Sequence, residues 1–144
     1  VFDVPVEQIN QAIEGYIPQN NRSQVTKTAN NTLIIDCYNA NPSSMKSALE
    51  SFNEIKGMEK LAILGDMLEL GDESLTEHQT ILDYCQKNNI PFFTVGPIFK
   101  ALHPNGFENH EEFRVNAVKL NLKNQLILLK GSRGIALEKL IDLF

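Results

Sequence analysis

Four short runs in this chain are almost wholly apolar, and each ends on a polar or glycine residue. They are TLIID (32–36), KLAILG (60–65), PFFTVG (91–96) and QLILLKG (125–131). A run without polar alternation must be buried on both faces, which happens mainly in parallel sheets covered by helices on either side. The segments between the runs supply such helices: 42–55 and 75–88 carry apolar residues at helical spacing, and 97–102 reads as a shorter helix. With right-handed crossovers, the alternation predicts an α/β, Rossmann-like, mainly parallel sheet with helices on both faces. A small N-terminal hairpin is expected ahead of it, from SQVTKTANNTLIID with its turn at Asn30-Asn31. EEFRV (111–115) reads as a short strand with a helix near 115–123, after a polar loop at 103–112, and 134–143 reads as a closing helix.

The chain opens without Met inside a helical pattern, in which Val6, Ile9 and Ile13 are spaced for one face of a helix over 5–15. It therefore reads as part of something longer. Net charge is −5 and no basic run occurs, which disfavours nucleic acid as the main partner. No apolar stretch approaches the roughly 20 residues of a membrane span. Cys37 and Cys85 lack metal-ligand spacing, and His78, His103 and His110 are scattered, so no metal site is expected and a reduced cytosolic setting fits best. Neither a phosphate-binding P-loop, a dinucleotide fingerprint nor a nucleophile elbow is present.

Ligands of such sheets bind beyond the carboxyl ends of the strands. The expected crevice therefore gathers Asp36, Gly65-Asp66, Gly96 and Lys130-Gly131 along one edge. Asp36 could order its turn or hold ribose hydroxyls. Asn41-Pro42 is a helix start, Asn as the cap and Pro in the first turn; that cap leaves Tyr38 and Asn39 unexplained. Gly65 permits a tight turn after its strand, and Gly71 is expected to end a short helical turn. Ser74 and Glu77 have the spacing of a capping box. Asp66 and Glu69 could be solvated acids, metal ligands or amine binders, whereas His78 reads as a loop anchor rather than a catalyst. Ser132 and Arg133 either cap and decorate a helix start or receive an anion there. Arg22 carries little weight alone.

Four segments in order resemble the C-terminal domain of the Mur ligases, and among these the ligases that add D-Ala-D-Ala: NNRSQ (20–24), DCYNANPSSM (36–45), LGDMLELGDES (64–74) followed by His78, and LLKGSRG (128–134) running into ALEKLI. The family patterns run G-R-x-Q, D-x-Y-N-A-N-P-x-S-M, G-D-M-x-E-L-G and K-G-S-R. The resemblance implies that residues 1–20 end a central domain and form a hinge, and that 21–144 are the C-terminal domain. It implies ATP-dependent joining of D-Ala-D-Ala to a UDP-N-acetylmuramoyl-tripeptide through an acyl phosphate, in cytoplasmic peptidoglycan precursor synthesis. Mg2+ would be held mostly by the central domain, which with the N-terminal domain would complete the enzyme; this stretch alone would be inactive. By the same resemblance Asp36 and Arg22 approach the ATP ribose and phosphates as catalytic and nucleotide-binding residues. Tyr38 and Asn39 shape the nucleotide wall, while Asn39 and Asn41 face the incoming dipeptide. Ser132 and Arg133 receive its carboxylate, and Asp66 and Glu69 line the adjoining loop near its ammonium. Asn-Asn-Arg stands where many members have Gly-Arg, and Cys37 where a small residue is common. Alternatives are another ligase of the superfamily, such as a folylpolyglutamate synthetase, a non-catalytic nucleotide- or amino-acid-binding module, and a protein-interaction domain.

Overall fold

The structure, a computed structural model, describes residues 24–144. The expected helix at 5–15, the hinge and Arg22 lie outside the described residues. A five-stranded sheet has the order β1-β2-β5-β3-β4. Its strands are β1 (Gln24–Lys27), β2 (Thr32–Asp36), β3 (Glu59–Gly65), β4 (Phe92–Val95) and β5 (Gln125–Lys130). Only β1 is antiparallel, paired with β2 in the predicted hairpin. Asn31 does more than turn that hairpin. Its buried amide donates to the carbonyls of Leu122 and Phe144, and its Oδ1 accepts the Gln125 N–H, fastening the turn to the start of β5.

The apolar runs are buried on both sides, as their composition requires. Along β5, Leu126 and Leu128 join one core with Ile34, Ala62 and Leu64, while Ile127 and Leu129 join a second with Leu33 and Ile63. The first core is closed by α1 (Pro42–Glu54), α2 (Ser74–Lys87) and α3 (Pro97–Leu102) through Met45, Leu49, Phe52, Ile81, Leu82 and Phe99. The second is closed by α4 (His110–Ala117) and the C-terminal segment through Phe113, Leu137, Leu140 and Phe144. Each such side chain, taken fully out of water, is worth about 1.5–3 kcal/mol before entropy is counted.

Five expectations are corrected. EEFRV is helical, not a strand: Asn109 caps α4 by accepting the Glu112 N–H at 2.8 Å, Glu111 and Glu112 suit the helix start, and Phe113 and Ala117 face the sheet. The helix foreseen near 115–123 thus begins earlier and ends at Ala117. Ser74 and Glu77 form no capping box, because a 3-10 turn over Gly71–Glu73 runs straight into α2 and Ser74 is already helical at φ −55°. Gly71 (φ +64°) opens that turn rather than ending one. The closing helix is two 3-10 stretches, Arg133–Ile135 and Leu137–Leu143, separated by a left-handed Ala136.

Two glycines set the spacing where β3 and β5 leave the sheet. A Cβ on Gly131 would sit 2.7 Å from the Gly65 Cα, so the two backbones touch with nothing between them. Gly131→Ala must part them, and the expected destabilisation is about 1–3 kcal/mol, measurable as a lower denaturation midpoint in urea with unchanged slope.

Candidate functional site

The carboxyl ends of β2, β5, β3 and β4 share one edge, as predicted, and the contacts there are specific. Asp36 and Lys130 are register partners on neighbouring parallel strands, the last residue of each. Both are buried, at 2% and 1% exposure, and Lys130 Nζ lies 2.9 Å from Asp36 Oδ2. The same ammonium donates to the Asn39 carbonyl at 3.2 Å. Between buried Asp36 and buried Ala40 the chain loops outward, so that Tyr38 is 53% exposed and Asn39 is exposed too. A buried ammonium thus holds an exposed turn from beneath. Burial of such a charge is tolerable because it is paired and hydrogen-bonded.

Tyr38 continues outward over the Arg133 guanidinium, 5.9 Å from the ring centroid. Tyr38 and Arg133, with Gln24, Ile35, Cys37 and Glu138, line an open cleft of ≈ 290 Å³. Arg133 is exposed, yet no α-helix begins beside it, so an anion here would meet the guanidinium rather than a helix dipole. Asn41 caps α1: its Oδ1 accepts the Ser44 N–H at 2.8 Å, and Ser44 Oγ accepts the Asn41 N–H at 3.1 Å. That side chain is committed to the helix start, as its pairing with Pro42 suggested.

Asp66 is wholly buried and caps α3 from a distance, its two carboxylate oxygens accepting the Ile98 and Phe99 N–H groups at 2.8 and 2.9 Å. Gly96 leaves room for it, since a Cβ there would lie 2.3 Å from the Asp66 carboxyl carbon. Burial pushes the Asp66 pKa up, against the pull of the two N–H donors. The loop after it is clamped twice. Ser132 Oγ accepts the Leu68 N–H at 2.9 Å, and His78 Nε2 accepts the Met67 N–H at 2.9 Å. His78 Nδ1 lies 2.6 Å from the Ser74 carbonyl, so it carries the proton, and the ring packs edge-on to Phe99. His78 is the loop anchor foreseen. The clamped loop lifts Glu69 into solvent with a left-handed φ of +66°.

Asp36, Tyr38, Asn39 and Arg133 are thus gathered at the β2–β5 end, with Ser132 bridging to the Asp66–Glu69 loop. The Asp66 carboxylate is turned away beneath α3. Lys130 is the residue that motif reading left without a role. Its signal was available: a lysine closing an apolar strand, opposite an aspartate closing the neighbouring one. Among the described residues no three His, Cys, Asp or Glu side chains come together to hold a metal ion, and Asp36 and Asp66 are engaged by protein partners, so these residues do not fit a metal centre. No described helix is long and apolar enough to cross a membrane.

Residues 21–133 match the family described as Mur ligase, glutamate ligase domain. The UDP-N-acetylmuramoyl-tripeptide–D-alanyl-D-alanine ligase of Rickettsia prowazekii is 35% identical over 85% of this chain and 29% of its own length. The enzyme of the same name from Bacillus subtilis is 33% identical over 97% of this chain and 34% of its own length. The chain therefore spans about a third of the curated relatives it matches. Among solved structures, MurF from Acinetobacter baumannii superposes with a TM-score of 0.72 at 29% identity, covering 86% of this chain and 30% of that one. MurF from Thermotoga maritima, solved in complex with ADP, has a TM-score of 0.68 at 21% identity over 85% and 30% and supports the fold.

Cys37 borders the cleft, and burial with the nearby Glu138 and Asp36 carboxylates pushes its thiol up to about 12. Burial does the same to Cys85. At pH 8 both are expected to react with thiol reagents roughly a thousandfold more slowly than a free cysteine. Ellman kinetics before and after denaturation check this; rapid native labelling would show that the β2 end opens.

Proposed function

The chain belongs to the Mur ligase family through its glutamate ligase domain, and we propose that it is the C-terminal domain of the ligase that adds D-Ala-D-Ala to UDP-N-acetylmuramoyl-tripeptide. The observation that carries this reading is the convergence of the DCYN and KGSR segments at the ends of β2 and β5, where Lys130 bonds both to Asp36 and to the Asn39 carbonyl. In the reading, residues 1–20 end the central domain and form the hinge, and the whole enzyme works in the cytoplasm on peptidoglycan precursors. Arg22 serves the ATP phosphates, and Asp36, buried like Lys130, serves the ribose by shaping the turn above it rather than by contact. Tyr38 and Asn39 form the nucleotide wall, and Asn39 and Asn41 border the dipeptide. Arg133 takes the D-Ala-D-Ala carboxylate as a charge-assisted partner. Ser132 sets the neighbouring loop through Leu68, and Glu69, lifted into solvent, meets the dipeptide ammonium before it loses its proton. Asp66 contributes by ordering that loop rather than by contact.

The reaction runs in two steps. The tripeptide carboxylate attacks the γ-phosphorus of ATP, giving an acyl phosphate and ADP. The neutral amine of D-Ala-D-Ala then attacks the acyl carbon, and the tetrahedral intermediate expels phosphate to leave the amide. An acyl phosphate is hydrolysable, so water must be kept away, and closure of this domain on a second one would do that. The Mg2+ accompanying ATP is assigned to ligands outside the described residues. This chain alone then lacks half of the site.

Full-length protein is expected to release phosphate from ATP only when the tripeptide and D-Ala-D-Ala are both present, and the 144-residue chain to release none. Indifference to D-Ala-D-Ala, with turnover on L-glutamate, would point instead to a folylpolyglutamate-type ligase. Arg133→Ala is expected to raise KM for D-Ala-D-Ala about tenfold, since a charge-assisted hydrogen bond is worth about 1.5–3 kcal/mol.

A further inference from the structure

We propose that Lys130 is a positioning residue, one that holds the nucleotide wall in shape without touching a substrate. The inference rests on the ligase reading for its consequence, but its geometry stands alone. Lys130 is 1% exposed, so no ligand reaches its ammonium in this arrangement. It spends that ammonium on two points of one turn, the Asp36 carboxylate at 2.9 Å and the Asn39 carbonyl at 3.2 Å. Between those points the backbone carries Cys37 and Tyr38 outward to the cleft shared with Arg133.

Stability is a poor reason for a lysine here. The neighbouring β5 positions Leu126, Ile127, Leu128 and Leu129 are all fully buried hydrocarbons. A methionine or leucine at 130, paired with a neutral residue at 36, would fill similar space without the desolvation cost of two ions. What such a pair would not supply is a directed hold on both ends of a turn that otherwise faces solvent. A lysine suits the task because its compact ammonium offers three donors at one point, whereas an arginine fork would need a wider, planar site. Lys130 thereby fixes the direction of the Asp36 carboxylate and the path on which Tyr38 and Asn39 stand.

Two arms test this. In the 144-residue chain, Lys130→Met is expected to lower backbone NMR order parameters at residues 37–40 from the rigid range, about 0.85, toward 0.6. Those of β3 and α1 should not change. In full-length enzyme the same substitution is expected to raise KM for ATP at least tenfold and KM for D-Ala-D-Ala by a clearly smaller factor, since the dipeptide meets the pinned turn at Asn39 alone whereas the nucleotide wall includes both Tyr38 and Asn39. The double variant Asp36→Asn/Lys130→Met removes both charges, so it leaves no unpaired buried ion if Lys130→Met alone fails to fold. Its KM for ATP is expected to exceed that of Asp36→Asn by less than tenfold, because the Asp36 contact is common to both and only the hold on the Asn39 carbonyl is lost in addition. Unchanged order parameters, a further tenfold rise in the double variant, or equal losses for both substrates would overturn the proposal. A wild-type enzyme that ignores D-Ala-D-Ala would sink the ligase reading instead, and the order parameters would still decide the role of Lys130.

Discussion

A strand buried on both faces has nowhere along its length to carry chemistry. Every polar side chain in β5 lies at an end: Gln125 where the strand begins, Lys130 where it stops, and four wholly buried aliphatic residues between. The same holds for β2, where Asp36 terminates the run. Parallel pairing then brings equivalent ends together, and two residues 94 positions apart become register partners carrying opposite charge. The site is a by-product of the packing rule that makes the sheet. A strand that must be apolar can afford charge only where it leaves the core, and the parallel order aligns those exits.

Next to that pair, most polar groups near the β3 exit work on architecture. Asp66 replaces a local cap for α3, His78 and Ser132 take successive amides of the following loop, and the Ser132 N–H returns to the Asp66 carbonyl at 3.0 Å. Such a mesh satisfies buried backbone groups that would otherwise cost about 1–3 kcal/mol each. It also explains why an acid-rich loop need not be a metal site. One of its carboxylates is consumed inside the fold, and burial pushes that group's pKa up rather than leaving it poised as a strong ligand. Glu69, at the crest, is left in solvent, as are Asp72 and Glu73 farther along.

The parts of this fold that were legible in the sequence are those set by period and by a single residue's backbone preference. The apolar runs yielded β2 to within its observed bounds, and Asn41-Pro42 marked the start of α1. Where two local signals competed, tertiary context chose. Phe113 and Val115 argued for a strand, but the Asn109 cap three residues before Glu112 won, because a helix lets Phe113 and Ala117 reach the same core. Ser74 had the spacing of a cap but was absorbed into helix by the 3-10 turn before it. The closing segment kept its apolar spacing in Leu137 and Leu140, yet a left-handed Ala136 broke it into 3-10 turns that no periodicity count registers. Asp66 illustrates a deeper limit for the site. Its partners are amides 32 and 33 residues away, so its use as a cap is invisible until the loops are set side by side.

The cleft itself is shallow in chemistry as well as in volume. Its aromatic ring and its guanidinium face each other, each covering part of the other, and Glu138 contributes a like-charged rim for any carboxylate ligand. A planar or anionic ligand arriving here displaces water from one side only, and exposed charge interactions of this kind are worth little. The same groups gain strength once a second surface excludes water, since Coulomb attraction rises as the local dielectric falls. On the proposed reading, that is why the wall must be rigid before closure. A turn that reorganised as the domains met would spend binding energy on its own ordering. A turn already pinned from beneath can put that energy into the ligand. The buried lysine does its work before any substrate arrives.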